Sequence, residues 1–111
     1  MRKILLVEKS ALWREKIGNW LREEGYYLIA VRDRDLAINC LEKEEIDIIL
    51  VEEKVLREDS FSLLSFIRQS FPDVVIIALE RVVILFLSRS YFLREYMIIF
   101  LLLLLLLVFS R

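Results

Sequence analysis

Few side chains in this sequence could do chemistry, and the absences narrow the field first. The 111 residues contain no histidine. That excludes Ser-His-Asp and Cys-His catalysis, and histidine-ligated zinc or haem. Cys40 is the single cysteine, so no intramolecular disulfide can form and a reducing compartment is the default. It reads as a small apolar core residue rather than a nucleophile. What is left is a set of carboxylates and one lysine, each directly after a short apolar run. Glu8 and Lys9 follow Ile4–Val7, Glu52 and Glu53 follow Asp47–Val51, and Glu80 follows Val74–Leu79. These five charged residues are the ones to interrogate for chemistry.

The elements that must position these residues alternate. Ile4–Val7 reads as a buried parallel strand, and it is too short for the core of a signal peptide. Ser10 offers an N-cap to a helix in which Leu12, Trp13, Ile17, Trp20 and Leu21 recur on one face. Gly25 supplies the left-handed residue that ends it. Tyr26–Val31 is a second strand, and Asp33 or Asp35 starts a helix through Leu36, Ala37, Cys40 and Leu41. The run Glu42–Glu45, interrupted by Lys43, is its solvated end. Asp47–Val51 is a third strand, and Ser60 opens a helix through Phe61, Leu64, Phe66 and Ile67. Pro72 breaks the chain before a fourth strand, Val74–Leu79. This order predicts an α/β, doubly wound parallel sheet with helices on both faces. Ligands in such sheets sit beyond the carboxyl ends of the strands, where Glu8, Lys9, Glu52, Glu53 and Glu80 fall. Trp13 and Trp20, seven residues apart, share a face and read as packing residues.

Composition agrees with a folded domain. Charged residues are 30% and apolar ones 58%, which excludes an extended disordered chain. Two Gly and one Pro are too few for a loop-rich β-sandwich. Lys+Arg total 16 against 17 Asp+Glu, a net charge of −1 with no basic excess for nucleic acid.

In order and spacing, KILLVEKSALWREKIGNWLREEGYYLIAVRD resembles the opening of a response-regulator receiver domain of bacterial two-component systems. IDIILVEEKVLREDSFSLLSFIRQSFPDVVIIALE continues the likeness. The strand followed by a charged pair, Arg14, the Gly25–Tyr26 step and Asp47 opening strand three all carry it, over roughly residues 2–80. The resemblance implies a flavodoxin-like sheet, normally of order 2-1-3-4-5. It also implies an incomplete receiver, since the match stops after the fourth strand.

The family's chemistry needs residues that this chain lacks. A receiver accepts a phosphoryl group on an Asp at the end of strand three, with Mg²⁺ held by acids. A hydroxyl after strand four and a Lys after strand five meet the phosphoryl oxygens. By the resemblance, Glu52 occupies the phosphoacceptor position, one methylene too long for in-line attack. Glu8 and Lys9 occupy the acidic pair, Glu80 the hydroxyl position, and no Lys follows Lys54. Together these departures argue against phosphotransfer and against Mg²⁺ as a cofactor, with Glu8 a solvated remnant that could still touch a metal. Two readings of Lys9 and Glu52 stand: unrelated surface charges, or an ion pair between strand ends that replaces the metal and locks the site. Asp59 is an outlying carboxylate with little claim as a substitute acceptor.

The tail fits no part of the family pattern. Residues 1–80 hold 12 basic and 16 acidic side chains, net −4. Residues 81–111 hold four Arg and one Glu, net +3, and are otherwise nearly all apolar. Tyr96–Phe109 is an uncharged run of 14 residues, about 21 Å as a helix. Starting at Tyr91 gives 19, close to the roughly 20 residues that span a bilayer core. Arg81, Arg89 and Arg94 would flank such an anchor on the cytoplasmic side. Alternatively the tail supplies a fifth strand (Val82–Leu87) and a buried helix, or it is read in a shifted frame from about codon 80. The expectation is two parts, residues 1–80 and 81–111. The first would be a pseudo-receiver acting by contact with a sensor histidine kinase or another signalling protein. It would not be an enzyme, would bind no nucleic acid, and would be cytoplasmic, attached to the membrane through the tail. The competing readings are a membrane-anchored structural protein and a non-functional truncated regulator.

Overall fold

A computed structural model of the chain describes residues 2–79. Glu80 and every reading of the tail lie outside the described residues. The elements are β1 (Lys3–Val7), α1 (Ala11–Glu23), β2 (Tyr27–Val31), α2 (Arg34–Lys43), β3 (Ile48–Glu52), α3 (Glu53–Ser70) and β4 (Val75–Leu79). The four strands form one parallel sheet of order β2-β1-β3-β4. The expected central pairing is present, from Ile4 beside Ile48 to Val7 beside Val51.

Alternation along the strands sorts the core into two faces. Leu5, Val7, Ile49 and Val51 pack with Ala37 and Leu41 of α2 and with Val55, Leu56, Leu63 and Ile67 of α3. Ile4, Leu6, Ile48 and Leu50, also fully buried, take the opposite parity. Leu28 of β2 is level with Ile4, and α1 passes so close to it that a Cβ on Gly18 would lie 3.1 Å from Leu28 Cδ2. Trp13, Ile17 and Leu21 are the buried side of α1, while Leu12 is 47% exposed. Leu12 therefore leaves the expected face: it lies in the first turn, one residue before the buried stripe begins at Trp13.

The local signals act as their chemistry dictates. The Ser10 hydroxyl accepts the Trp13 N–H at 3.3 Å, and an Asp33 carboxylate oxygen accepts the Leu36 N–H at 2.9 Å. Gly25 ends α1 at φ +92°. Asp47 ties the amino ends of three strands together. Its carboxylate accepts the Lys3 N–H at 2.8 Å, its N–H donates to the Lys3 carbonyl, and its carbonyl accepts the Val75 N–H. The end of α2 is solvated, with Glu44 paired to Lys3 at 3.2 Å. Cys40 packs half-buried against the core, and burial raises its thiol pKa.

Helix α3 departs from expectation. The span starts at Glu53, directly after Glu52, and is two helices joined across a kink. Ser60 lies in that kink, left-handed itself, just ahead of the second helix, which carries Leu64, Phe66 and Ile67 as expected. Its right-handed path breaks at Glu58, and Asp59, Ser60 and Phe61 take the left-handed region at φ +50°, +53° and +62°. Left-handed geometry costs on the order of 1–2 kcal/mol for each non-glycine residue. The sequence explains why the chain tolerates it. A right-handed continuation would set position 59 four residues from both Val55 and Leu63, on the buried stripe that runs on to Ile67. Burying an unpaired carboxylate there costs on the order of several kcal/mol. The break turns Asp59 out to Arg34, 3.3 Å away. Phe61, expected on the apolar face, is consequently 48% exposed, and Leu63 takes its place in the core.

Candidate functional site

The carboxyl ends of β1 and β3 bring Glu8, Lys9 and Glu52 together. Glu52 is the last residue of β3, and Glu8 extends the ladder one step past β1 by donating its N–H to the Val31 carbonyl at 3.0 Å. Both carboxylates are buried, Glu8 to 1% exposure and Glu52 to 5%. A buried carboxylate must be met by donors, and here the β1–α1 turn provides them. Glu8 Oε2 accepts the Ser10 N–H at 3.1 Å, and Glu52 Oε2 accepts the Lys9 N–H at 3.0 Å. Arg14, one turn into α1, reaches back to donate from Nη1 to the Glu8 carbonyl at 2.8 Å and fixes the same turn.

Two expectations are corrected at this point. Glu8 is not a solvated remnant but one of the most buried side chains of the sheet. Lys9 does meet Glu52, though through its backbone N–H and not its ammonium. The ammonium pairs instead with Glu58, at the break in α3. The physical reason is hydration: an ammonium sunk between the strand ends would lose its water, while beside Glu58 it stays half exposed. The hydrogen bond that the ammonium donates to Glu58, and then the charge of Glu58, hold the Lys9 pKa above the ordinary 10.5, with smaller pulls of the same sign from Glu52 and Asp33.

Glu58 is the functional neighbour that the sequence reading missed. No spacing rule links positions 9 and 58, and the contact depends on the helix break. Arg34 was missed as well: its Nη1 donates to the Ser62 hydroxyl at 2.8 Å and pairs with Asp59. Asp59 thus sits with Arg34, not with Lys9. Glu53 points into an i,i+4 ion pair with Arg57 and takes no part in the strand-end cluster. Glu80 lies outside the described residues.

The donor set at the strand ends suits Mg²⁺ poorly. Among the described residues no three acidic, cysteine or histidine side chains converge as a metal-binding group. Glu8 and Glu52 each commit an oxygen to a backbone N–H, and Lys9 stands where a further acid would be needed. The described residues therefore fit a hydrogen-bonded, internally satisfied carboxylate pair and not a Mg²⁺ cage.

Comparison with solved structures identifies the fold. The chain superposes on a response regulator from Thermotoga maritima with a TM-score of 0.65 at 21% identity, covering 88% of this chain and 78% of that one. The chemotaxis response regulator CheY4 of Vibrio cholerae gives 0.67 at 19% identity, over 88% and 80%. The signal receiver domain of an HD domain-containing protein from Pseudomonas fluorescens gives 0.66 at 24%, over 86% and 76%. No protein-family model matches the sequence, and no curated protein does. At these identities the likeness is one of fold: the chain has the flavodoxin-like receiver fold. Among the described residues no helix is long and apolar enough to cross a membrane.

Proposed function

We propose that the chain is a pseudo-receiver, a two-component signalling module that acts by protein contact and does not take up phosphate. The observation that carries this reading is the Glu8–Lys9–Glu52 cluster. It stands where a receiver does its chemistry, yet its acids are buried and bound to the backbone N–H groups of Lys9 and Ser10. Glu52 puts a permanent carboxylate at the phosphoacceptor position, and Glu80 takes the hydroxyl's. A site built this way holds one state without metal, and its partner is a sensor histidine kinase or another signalling protein. Incubating the chain with a small phosphoryl donor and Mg²⁺, then weighing it by intact-mass spectrometry, should give no phosphate adduct. Millimolar Mg²⁺ should likewise leave the melting temperature unchanged. An adduct on this chain, or a melt several degrees higher with Mg²⁺, contradicts the reading.

The domain boundary in this proposal falls at residue 80, and residues 91–109 hold the module at the cytoplasmic face of a membrane. Support for the anchor comes from sequence: 19 residues with charge only at Arg94 and Glu95, and Arg81 and Arg89 ahead of them. The full chain should float with phospholipid vesicles, and Leu104→Arg should abolish flotation. A wild-type chain that stays unbound refutes the anchor and leaves the pseudo-receiver reading standing.

A further inference from the structure

We propose that the groove between the end of α2 and the α3–β4 turn docks a basic segment of a partner protein, one whose Lys or Arg residues alternate with apolar ones. The groove lies at the amino end of the sheet, since Ile46 precedes β3 and Val74 precedes β4. Its volume is about 470 Å³, within the usual range for ligand sites. Leu41, Ile46 and Val74 form its apolar lining, each at most 8% exposed. Phe71 adds a part-buried ring, set edge-on to Phe66 with centroids 5.8 Å apart. Glu44, Glu45 and Asp73 supply every charge of the lining, and all three are acids.

Three observations choose the occupant. First, the acids have charge to give. Glu44 is shared with Lys3, but Glu45 and Asp73 are exposed, and among the described residues neither is in an ion pair. Second, two helices end at the groove. α2 stops at Lys43 with Glu44 as its cap, and the second helix of α3 stops at Ser70 with Phe71 as its cap. A helix C-terminus carries about half a negative charge, and its last carbonyls lack partners within the helix. Both ends therefore add to the acids, and together they repel phosphate and carboxylate groups. Third, the acids do not converge: among the described residues no three such side chains form a metal-binding group. A compact hydrated ion would be held poorly there and would leave the apolar lining unused. A cation on an apolar stem uses both kinds of wall, and Phe71 offers it an aromatic face. A segment that alternates cationic and apolar side chains carries several such groups in one chain. The groove lies at the end of β3 opposite to Glu52, so the proposal goes beyond the pseudo-receiver reading and stands whether or not phosphate is taken up.

Residue-resolved NMR titration of the full chain tests it, with acetyl-Lys-Leu-Arg-Leu-Lys-amide as the probe. The peptide should shift the amides of residues 41–46 and 73–74 saturably and leave those of Glu8, Lys9 and Glu52 in place. The same peptide with Glu for each cation should shift none of them, and with Ser for each Leu it should bind more weakly. Glu45→Gln combined with Asp73→Asn should weaken binding by about fivefold or more. Both positions are exposed, so the doubly substituted chain should keep the wild-type fold. Absence of saturable shifts at the groove overturns the proposal. So does equal binding of the acidic or the serine peptide, or equal binding by the doubly substituted chain.

Discussion

Glu52 shows how much a single carboxylate's position decides. Its place at the end of β3 was legible, because the apolar run before it fixes where the strand stops. Its partner was not legible, because a sequence shows charges and hides backbone N–H groups. The expected bond to the Lys9 ammonium turned out to be a bond to the Lys9 amide. Glu52→Ala should therefore strand a part-buried donor, at a cost of about 1–3 kcal/mol. Glu52→Gln keeps an acceptor oxygen and should cost less, and urea midpoints of the two variants check the order. Asp33 makes a pH prediction with a definite sign. Its bond from the Leu36 N–H, and then Arg32, hold its carboxyl below the ordinary 3.8. A lowered folded pKa means that its stabilisation is complete above about pH 3.8 and is lost as pH falls through the lower folded value. Asp33→Asn keeps the cap without the charge, so the acid limb of its stability curve should be flatter than that of the wild type.

At the scale of elements, the same backbone region is used once with glycine and once without. Gly25 at φ +92° ends α1, and its Cβ would meet nothing within 4 Å. Gly25→Ala therefore isolates the backbone effect and should destabilise by about 1–2 kcal/mol. Ser60 sits at φ +53° without that freedom. Ser60→Gly should stabilise the chain by up to about 1 kcal/mol, reduced by glycine's extra freedom when unfolded. Thermal melts of the two variants should shift in opposite directions. The contrast also explains the reading of α3. Gly25 announced its turn, whereas Asp59-Ser60-Phe61 carries no glycine to announce one. Ser60 does mark where the second helix starts, but nothing in its type shows the helix before it or the left-handed path between them. The strands, by contrast, were legible to within a residue at each end. β1 and β3, buried on both faces, demand unbroken apolar runs, and β2 and β4 are apolar runs too although their burial is partial.

Across the whole sheet, stability is spread unequally, and the strand order says how. β1 and β3 are flanked by strands on both sides, and all five residues of β3 are buried. β4 pairs with β3, and its outer residues stay open, with Val75 38% exposed. Ile49 lies between Leu5 and Ile76 in the ladder and faces the cluster formed by α2 and α3. Truncating it leaves a hole that neighbours on both strands and both helices would have to move together to fill. Ile49→Ala should therefore cost about 2–5 kcal/mol, a large share of what a domain of this size has in total. Val75→Ala, at the same sheet's margin, removes atoms that water already reaches, and it should cost less than about 1 kcal/mol. Chemical denaturation of the full chain at one temperature compares them directly. Near-equal losses would mean that β4 is as enclosed as β3, and the sheet's stability would then not centre on β1 and β3.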